Sequence, residues 1–256
     1  MAAPVRPAAT VVVMRDGPAG PEILMLKRSG KAGFFPDAWV FPGGRVDASD
    51  SSARTTGAVA ALPPDDTQFA VAAIRECFEE AGVWLGKGTA TQALRDGLNQ
   101  RQATLADAPD LIADLGRMAL WSWWITPEVE PKRYDTRFFV AHLTKEEAAQ
   151  ASHDEVETVQ SLWITPADAL GRATGPEFFL APPTFRTLEE LADFSDAASV
   201  MEAAPQRTVR AVMPRLDMSG ESWAIVLPGD PSYPSDEPVD GPTRIEFRQG
   251  RWWSHS

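Results

Sequence analysis

Arg75-Glu76-Cys77-Phe78-Glu79-Glu80-Ala81-Gly82 sets three carboxylates on one side of a short helix. At about 100° per residue, Glu76, Glu79 and Glu80 share one sector, while Val71, Ile74, Phe78 and Ala81 cluster on roughly the opposite face. The apolar face packs, and the acidic face is left for another purpose. Glu76 and Glu80 stand at i,i+4, where like charges repel by roughly 0.2–0.5 kcal/mol. All three carboxylates also approach the negative end of the helix dipole, which Gly82 terminates as a left-handed residue. Stability alone does not select this placement. Arg75 is i,i+4 from Glu79 and can hold that carboxylate in one orientation. Hard oxygen ligands of this kind suit Mg²⁺ or Mn²⁺, and Mg²⁺ takes the rest of its shell from waters and substrate phosphate oxygens. Taken alone, the pattern fits a solvated acidic face with a surface salt bridge equally well.

Upstream, Phe41-Pro42-Gly43-Gly44-Arg45-Val46-Asp47 is a turn whose two glycines allow close backbone approach. Alone it is an ordinary turn after a strand. Together the two segments resemble the Nudix hydrolase signature, G-x5-E-x7-R-E-U-x-E-E-x-G-U, with U a bulky aliphatic residue. Arg75, Glu76, Glu79, Glu80, Gly82 and Val83 match it, with Cys77 at the first U. Six residues on from Gly44 stands Asp50 in place of the usual Glu, and Arg75 follows about seventeen residues later than the uninterrupted signature places it. The interposed residues 51–69 are rich in Ser, Thr, Ala, Pro and Asp and read as a loop. The glutamates all lie on the helix side of it.

Within that family the interrupted signature resembles the branch that includes the peroxisomal coenzyme A diphosphatases and their bacterial relatives. Three further passages carry the resemblance: Leu26-Lys27-Arg28-Ser29 with Gly33-Phe34-Phe35-Pro36-Asp37-Ala38; Trp124-Ile125-Thr126-Pro127 with Arg133-Tyr134-Asp135-Thr136-Arg137-Phe138-Phe139; and Ala181-Pro182-Pro183-Thr184-Phe185. An upstream motif of many coenzyme A hydrolases fits only in part. Arg28 and Ser29 match, but Gly33 replaces its second Arg and Asp37 its Gly.

The resemblance implies an α/β fold, a Nudix α/β/α sandwich with a mixed sheet, a helical insertion and a C-terminal helix plus β extension. It implies that Glu76, Glu79 and Glu80 ligate Mg²⁺ or Mn²⁺, that Arg75 orients Glu79, and that Gly43 and Gly44 contribute backbone to the same site. Such proteins often draw another carboxylate from a loop outside the signature, as ligand or general base. His153-Asp154-Glu155-Val156-Glu157 occupies the matching place, with Glu155 the first choice and Glu157 the second; a solvated acidic loop is the alternative for either. Arg28, Arg133 and Arg137 are suited to substrate phosphate by their bidentate guanidinium groups, and equally to structural salt bridges. The implied activity is metal-dependent hydrolysis of a nucleoside diphosphate-linked compound, with coenzyme A or acyl-coenzyme A first and ADP-ribose or NADH as alternatives. A noncatalytic nucleotide-sensing module is the reading from another class, and the full set of glutamates counts against it.

At 256 residues with 44% hydrophobic content, the chain can bury one substantial core. Its formal net charge of -12 argues against nonspecific nucleic-acid binding, which needs a broad basic footprint. The expected partner is a small nucleotide-derived substrate. The single cysteine, Cys77, excludes an internal disulfide and reads as packing. With no signal peptide and no apolar run of about 18 residues, no membrane association and a cytoplasmic location are expected. No His among His142, His153 and His255 has a Ser or Cys at a spacing that suggests a nucleophile pair.

By that resemblance the chain is expected to divide into a Nudix domain over residues 1–180 and a C-terminal helix and β extension over 181–256. Residues 11–14 and 22–26 read as a hairpin, and residues 70–81 as the acidic helix. Within a helical insertion at 87–118, residues 89–115 suggest two helices broken at Ala108-Pro109. Strand signals follow at 121–125, 137–143 and 158–164, and Thr165-Pro166 starts a helix. Residues 183–194 read as another helix with Thr184 as N-cap. Short strands are expected at 207–214, 223–227, 243–247 and 251–253, packing on the core or forming a homodimer surface.

Overall fold

The computed structural model describes residues 3–31, 35–60, 62–220, 222–234 and 238–255; Gly33 and Phe34 of the upstream passage lie outside the described residues. Val11, Val12, Val13 and Met14 are all fully buried, an uninterrupted apolar run that marks a strand covered on both faces. They belong to β1 (Val5–Gly17), which turns directly into β2 (Gly20–Arg28), with Gly17 facing Gly20. β3 (Trp39–Val40) adds to β2, and β4 (Gly43–Arg45) pairs with Ala8, Ala9 and Thr10 of β1, beyond the stretch where β1 meets β2.

A 3-10 turn at Ala48–Ser52, β5 (Thr55–Thr56) and a second 3-10 turn at Pro64–Asp66 lead into α1 (Thr67–Ala81), which starts three residues before the sequence pattern indicates. Gly82 ends it in the left-handed region at φ 68°, its N–H donating to the Phe78 carbonyl at 3.0 Å. β6 (Gly86–Lys87), α2 (Gln92–Asn99) and β7 (Ile112–Asp114) follow. The expected second helix of this insertion does not form. Leu105–Asp107 makes one 3-10 turn, Pro109 stops it, and the next residues pair as β7 between β5 and β6 in a three-stranded sheet.

β8 (Met118–Ile125) and β9 (Arg133–His142) form the second long hairpin, followed by α3 (Lys145–Ala148) and β10 (Thr158–Ile164). In α4 (Pro166–Arg172) the Thr165 hydroxyl accepts from Asp168 N, with Pro166 at the first helical position. α5 (Pro182–Leu191) begins earlier than expected: Ala181 is its N-cap residue, and Thr184 is buried inside the first turn because Pro182 already supplies helical φ. α6 (Ala197–Ala203) and β11 (Ala211–Val212) precede β12 (Arg215–Asp217), β13 (Ala224–Val226), β14 (Arg244–Arg248) and β15 (Arg251–His255).

The main eight-stranded sheet runs β10-β2-β1-β9-β8-β11, with β3 on β2 and β4 on β1; β1 lies parallel to β9, and the sheet is mixed. Alternation along β1 sends Ala9, Val11 and Val13 to the layer under α1, and Val12 and Met14 to the layer under α4, α5 and α6. The four strands β12 to β15 form an antiparallel sheet whose Ile225, Ile245 and Trp252 join this second layer. Trp252 Nε1 donates to the Leu180 carbonyl at 2.8 Å, tying that sheet to the start of α5. Among the described residues, no helix is long and apolar enough to cross a membrane.

Candidate active site

The last two turns of α1 face β4. Gly43 N–H donates to Glu80 Oε2 at 3.0 Å, and a Cβ on Gly44 would stand 2.4 Å from the Glu76 carboxyl group. A Cβ on Gly43 would meet the Ala9 carbonyl oxygen at 2.5 Å. Both glycines are needed here because backbone and carboxylates share the space a side chain would fill.

Arg75 is the hub of the site. Its Nε and Nη2 donate to Asp50 Oδ1 and Oδ2 at 2.7 and 3.0 Å; its Nη1 donates to Glu76 Oε1 at 2.9 Å and Glu79 Oε1 at 3.0 Å; and Nη2 also reaches the Arg45 carbonyl at 2.8 Å. Burial works against the Arg75 charge, but the Asp50 hydrogen bond and the surrounding carboxylates outweigh it and hold the guanidinium protonated. Asp50, only 2% exposed, also accepts from Asp47 N at 2.8 Å and so locks the end of the glycine turn. The insertion therefore separates Asp50 from α1 in sequence and not in space. The one signal for its place is its count of six from Gly44.

Burial pushes the Glu76 carboxyl up to about 7, with Arg75 opposing the shift and Glu79 adding to it. Glu79 and Glu80 are raised by burial too, and Glu80 also by its repulsion from Glu76. Burial likewise pushes up the Cys77 thiol, which packs in the layer beneath α1.

A cleft of about 430 Å³ opens over these carboxylates. Its wall includes Arg28, Gly43, Gly44, Asp154 and Glu157, together with Leu98 and Asn99 from the end of α2. Arg95 of α2 fixes the acidic loop to the helix: its Nε donates to the Glu79 carbonyl at 2.9 Å and its Nη2 to the Ser152 carbonyl at 2.8 Å. Asp154 then accepts from the backbone N–H groups of Val156, Glu157 and Thr158, closing the loop on itself. This closure puts Glu155 at φ 61°, exposed, in a separate cleft beside Gln92 and Arg95. Glu155, the first choice for the extra carboxylate, thus lies outside the carboxylate cleft. Glu157 lines the carboxylate cleft, and its charge raises both Glu76 and Glu80.

Two of the three arginines chosen for phosphate are also displaced, by strand parity. Arg133 and Arg137 occupy alternate positions of β9 on one face, and Tyr134 and Thr136, on the other, line the cleft. Arg133 donates to the carbonyls of Thr126 at 3.0 Å and Ala3 at 3.2 Å. Arg137 pairs with Asp135 and with Asp66, the latter at 2.9 Å, and lies over the rings of Trp123 and Phe69. Arg28 differs from both: it lines the cleft, and among the described residues its buried Nε has no hydrogen-bond partner.

Among the described residues, no group of three or more His, Cys, Asp or Glu side chains stands ready-closed around a metal position. The donor chemistry nevertheless fits a hard divalent cation: three carboxylates raised by burial lie together, Glu76 and Glu80 against the glycine strand and Glu76 and Glu79 against Arg75. Glu76, Glu79 and Glu80 are the residues that would hold it.

A buried arginine bracing helix carboxylates beneath a double-glycine strand, on a mixed sheet between helical layers, suits a metal-assisted hydrolase. The chain belongs to the Nudix hydrolase family: residues 54–191 match the NUDT19 Nudix domain. It is 30% identical to the chicken acyl-coenzyme A diphosphatase NUDT19, over 90% of this chain and 77% of that one, and 28% identical to the human protein of that name over the same shares. The crystal structure of a NUDIX hydrolase from Alicyclobacillus acidocaldarius, 29% identical, superposes with a TM-score of 0.69 over 78% of this chain and 96% of that one. Nudix hydrolases generally use divalent metal ions.

Proposed function

We propose that this protein hydrolyses the diphosphate linkage of coenzyme A or acyl-coenzyme A, adding water to give 3′,5′-ADP and 4′-phosphopantetheine or its acyl form, with Mg²⁺ or Mn²⁺ as cofactor. The observation that carries the reading is the convergence of Glu76 and Glu80 under the Gly43-Gly44 strand with Glu79 held beside them by Arg75, in a chain similar over nine-tenths of its length to acyl-coenzyme A diphosphatases. When bound, the divalent cation supplies charge neutralisation for the phosphoryl oxygens and an activated water. Arg75 keeps Glu76 and Glu79 in fixed orientation, and the Gly43 N–H fixes one oxygen of Glu80. Glu157, on the wall of the cleft, would take the proton from the attacking water. Arg28 offers its unpartnered Nε to a phosphoryl oxygen.

Coenzyme A, acyl-coenzyme A, ADP-ribose and NADH incubated with Mg²⁺ or Mn²⁺, with products read by mass, test the reading. Release of 3′,5′-ADP that is abolished in Glu79→Gln and Glu80→Gln supports it. Full activity in both variants removes the metal-site assignment.

A further inference from the structure

The three sequence passages that carry family resemblance give Arg28, Tyr134 and Thr136 to the carboxylate cleft, but Phe35, Trp124-Ile125-Thr126-Pro127 and Ala181-Pro182-Pro183-Thr184 of the same passages do not line it. They meet in one place. Together with Phe41, Phe138 and Ile225 they enclose a second chamber of about 240 Å³, predominantly apolar. Thr10, Arg28, Gly43, Tyr134 and Thr136 belong to the walls of both spaces. The chamber therefore begins at Gly43, the residue bonded to Glu80, and at the guanidinium with the unpartnered Nε.

We propose that this chamber takes the branched aliphatic arm esterified to the scissile diphosphate, rather than the nucleoside or the acyl chain. The inference rests on the coenzyme A reading and assigns the direction in which that substrate lies. Position argues against the acyl group: an extended pantetheine arm sets the thioester roughly 15 Å from the phosphate, about the reach of four extended residues, whereas the chamber shares Gly43, Arg28 and Thr136 of its wall with the carboxylate cleft.

Polarity disfavours the nucleobase. A purine edge needs donors and acceptors, and burying it without them is costly. Along the Trp124–Thr126 side of the wall the polar groups are engaged: Thr126 Oγ1 accepts from Tyr134 N at 3.0 Å, the Thr126 carbonyl accepts from Arg133 Nε at 3.0 Å, and Trp124 Nε1 donates to Ser122 Oγ at 3.1 Å. A gem-dimethyl carbon next to the phosphate ester needs only apolar contact. Glu130 and Thr184, also on the wall, suit the hydroxyl and amide that follow it in the arm.

The test fills the chamber from its half-buried rim with Ile125→Trp and, independently, Pro183→Trp, each checked for folding by circular dichroism and melting temperature. The expected result is a KM raised tenfold or more, by the same factor for coenzyme A, acetyl-coenzyme A and a long-chain acyl-coenzyme A, and raised much less for ADP-ribose or NADH. Binding of 4′-phosphopantetheine to the full chain, read by tryptophan fluorescence or calorimetry, weakens in parallel. A KM rise confined to long-chain substrates places the acyl chain in the chamber and overturns the proposal, as does an equal rise for ADP-ribose. Should the wild-type protein not cleave coenzyme A, the functional reading fails separately. The binding measurement still decides here: 4′-phosphopantetheine bound by the wild type and lost in both variants supports the chamber, and no binding to the wild type overturns it.

Discussion

Arg75 and Asp50 lie in bidentate contact, 2.7 and 3.0 Å apart, with both side chains almost wholly buried and the inserted segment looping out between them. Removing one partner of such a pair leaves an uncompensated buried charge. Asp50→Asn is expected to lower unfolding free energy by about 2–4 kcal/mol, measured by urea titration, and to lower kcat by freeing Arg75 from its fixed orientation. Unchanged stability would show that Glu76 and Glu79 alone hold the guanidinium.

The raised carboxyl groups make stability depend on pH in a definite direction. Glu76 titrates at about 7 in the folded chain against its ordinary 4.5, so between these values the folded state binds more protons than the unfolded one. Its contribution to stability falls as pH rises through that window. A divalent cation relieves the repulsion among ionised carboxylates. Mg²⁺ or Mn²⁺ should raise the melting temperature strongly at pH 8 and weakly at pH 5, with EDTA reversing the gain; equal shifts at both values place cation binding elsewhere.

The two glycines of β4 separate fold from site. In Gly43→Ala the new methyl group meets the Ala9 backbone, which cannot withdraw, and a loss of about 1–3 kcal/mol is expected. In Gly44→Ala it meets the flexible Glu76 side chain, so the protein should melt near its normal temperature while kcat/KM drops about tenfold or more, near 1.4 kcal/mol.

Glu157→Gln should lower kcat by a factor on the order of 10²–10⁴, the usual contribution of a general base. Glu155→Gln, on the far side of the same loop, should leave steady-state kinetics unaltered. The reverse pattern would restore Glu155 as the reacting carboxylate.

Arg137→Lys tests strand parity. Lysine keeps the charge but loses the forked pairing with Asp66 and Asp135 and the planar contact with Trp123. Thermal stability should drop by about 2 kcal/mol with KM for coenzyme A preserved. A selective rise in KM would return this residue to the substrate site.

Local spacing by itself determined the helix with Glu76, Glu79 and Glu80 on one sector, its stop at Gly82, and the Arg75–Glu79 contact, because i,i+4 geometry and a left-handed glycine are properties of a few consecutive residues. The glycine pair upstream was legible too, but as a turn; that Gly43–Arg45 is itself a strand was not. Tertiary structure alone decided the rest. The pairing of β4 on β1 gave the glycines their tight approach to Glu76 and Glu80, and folding back of the inserted segment brought Asp50 to Arg75. Strand parity turned Tyr134 and Thr136 toward the cleft and Arg133 and Arg137 away from it, and loop closure on Asp154 set Glu157 on the wall of the carboxylate cleft and Glu155 on that of its neighbour. A strand shows one residue in two to a given face and a loop has no period, so chemistry-bearing residues there can be nominated from sequence, but their direction is set only when the sheet and its neighbouring helices are assembled.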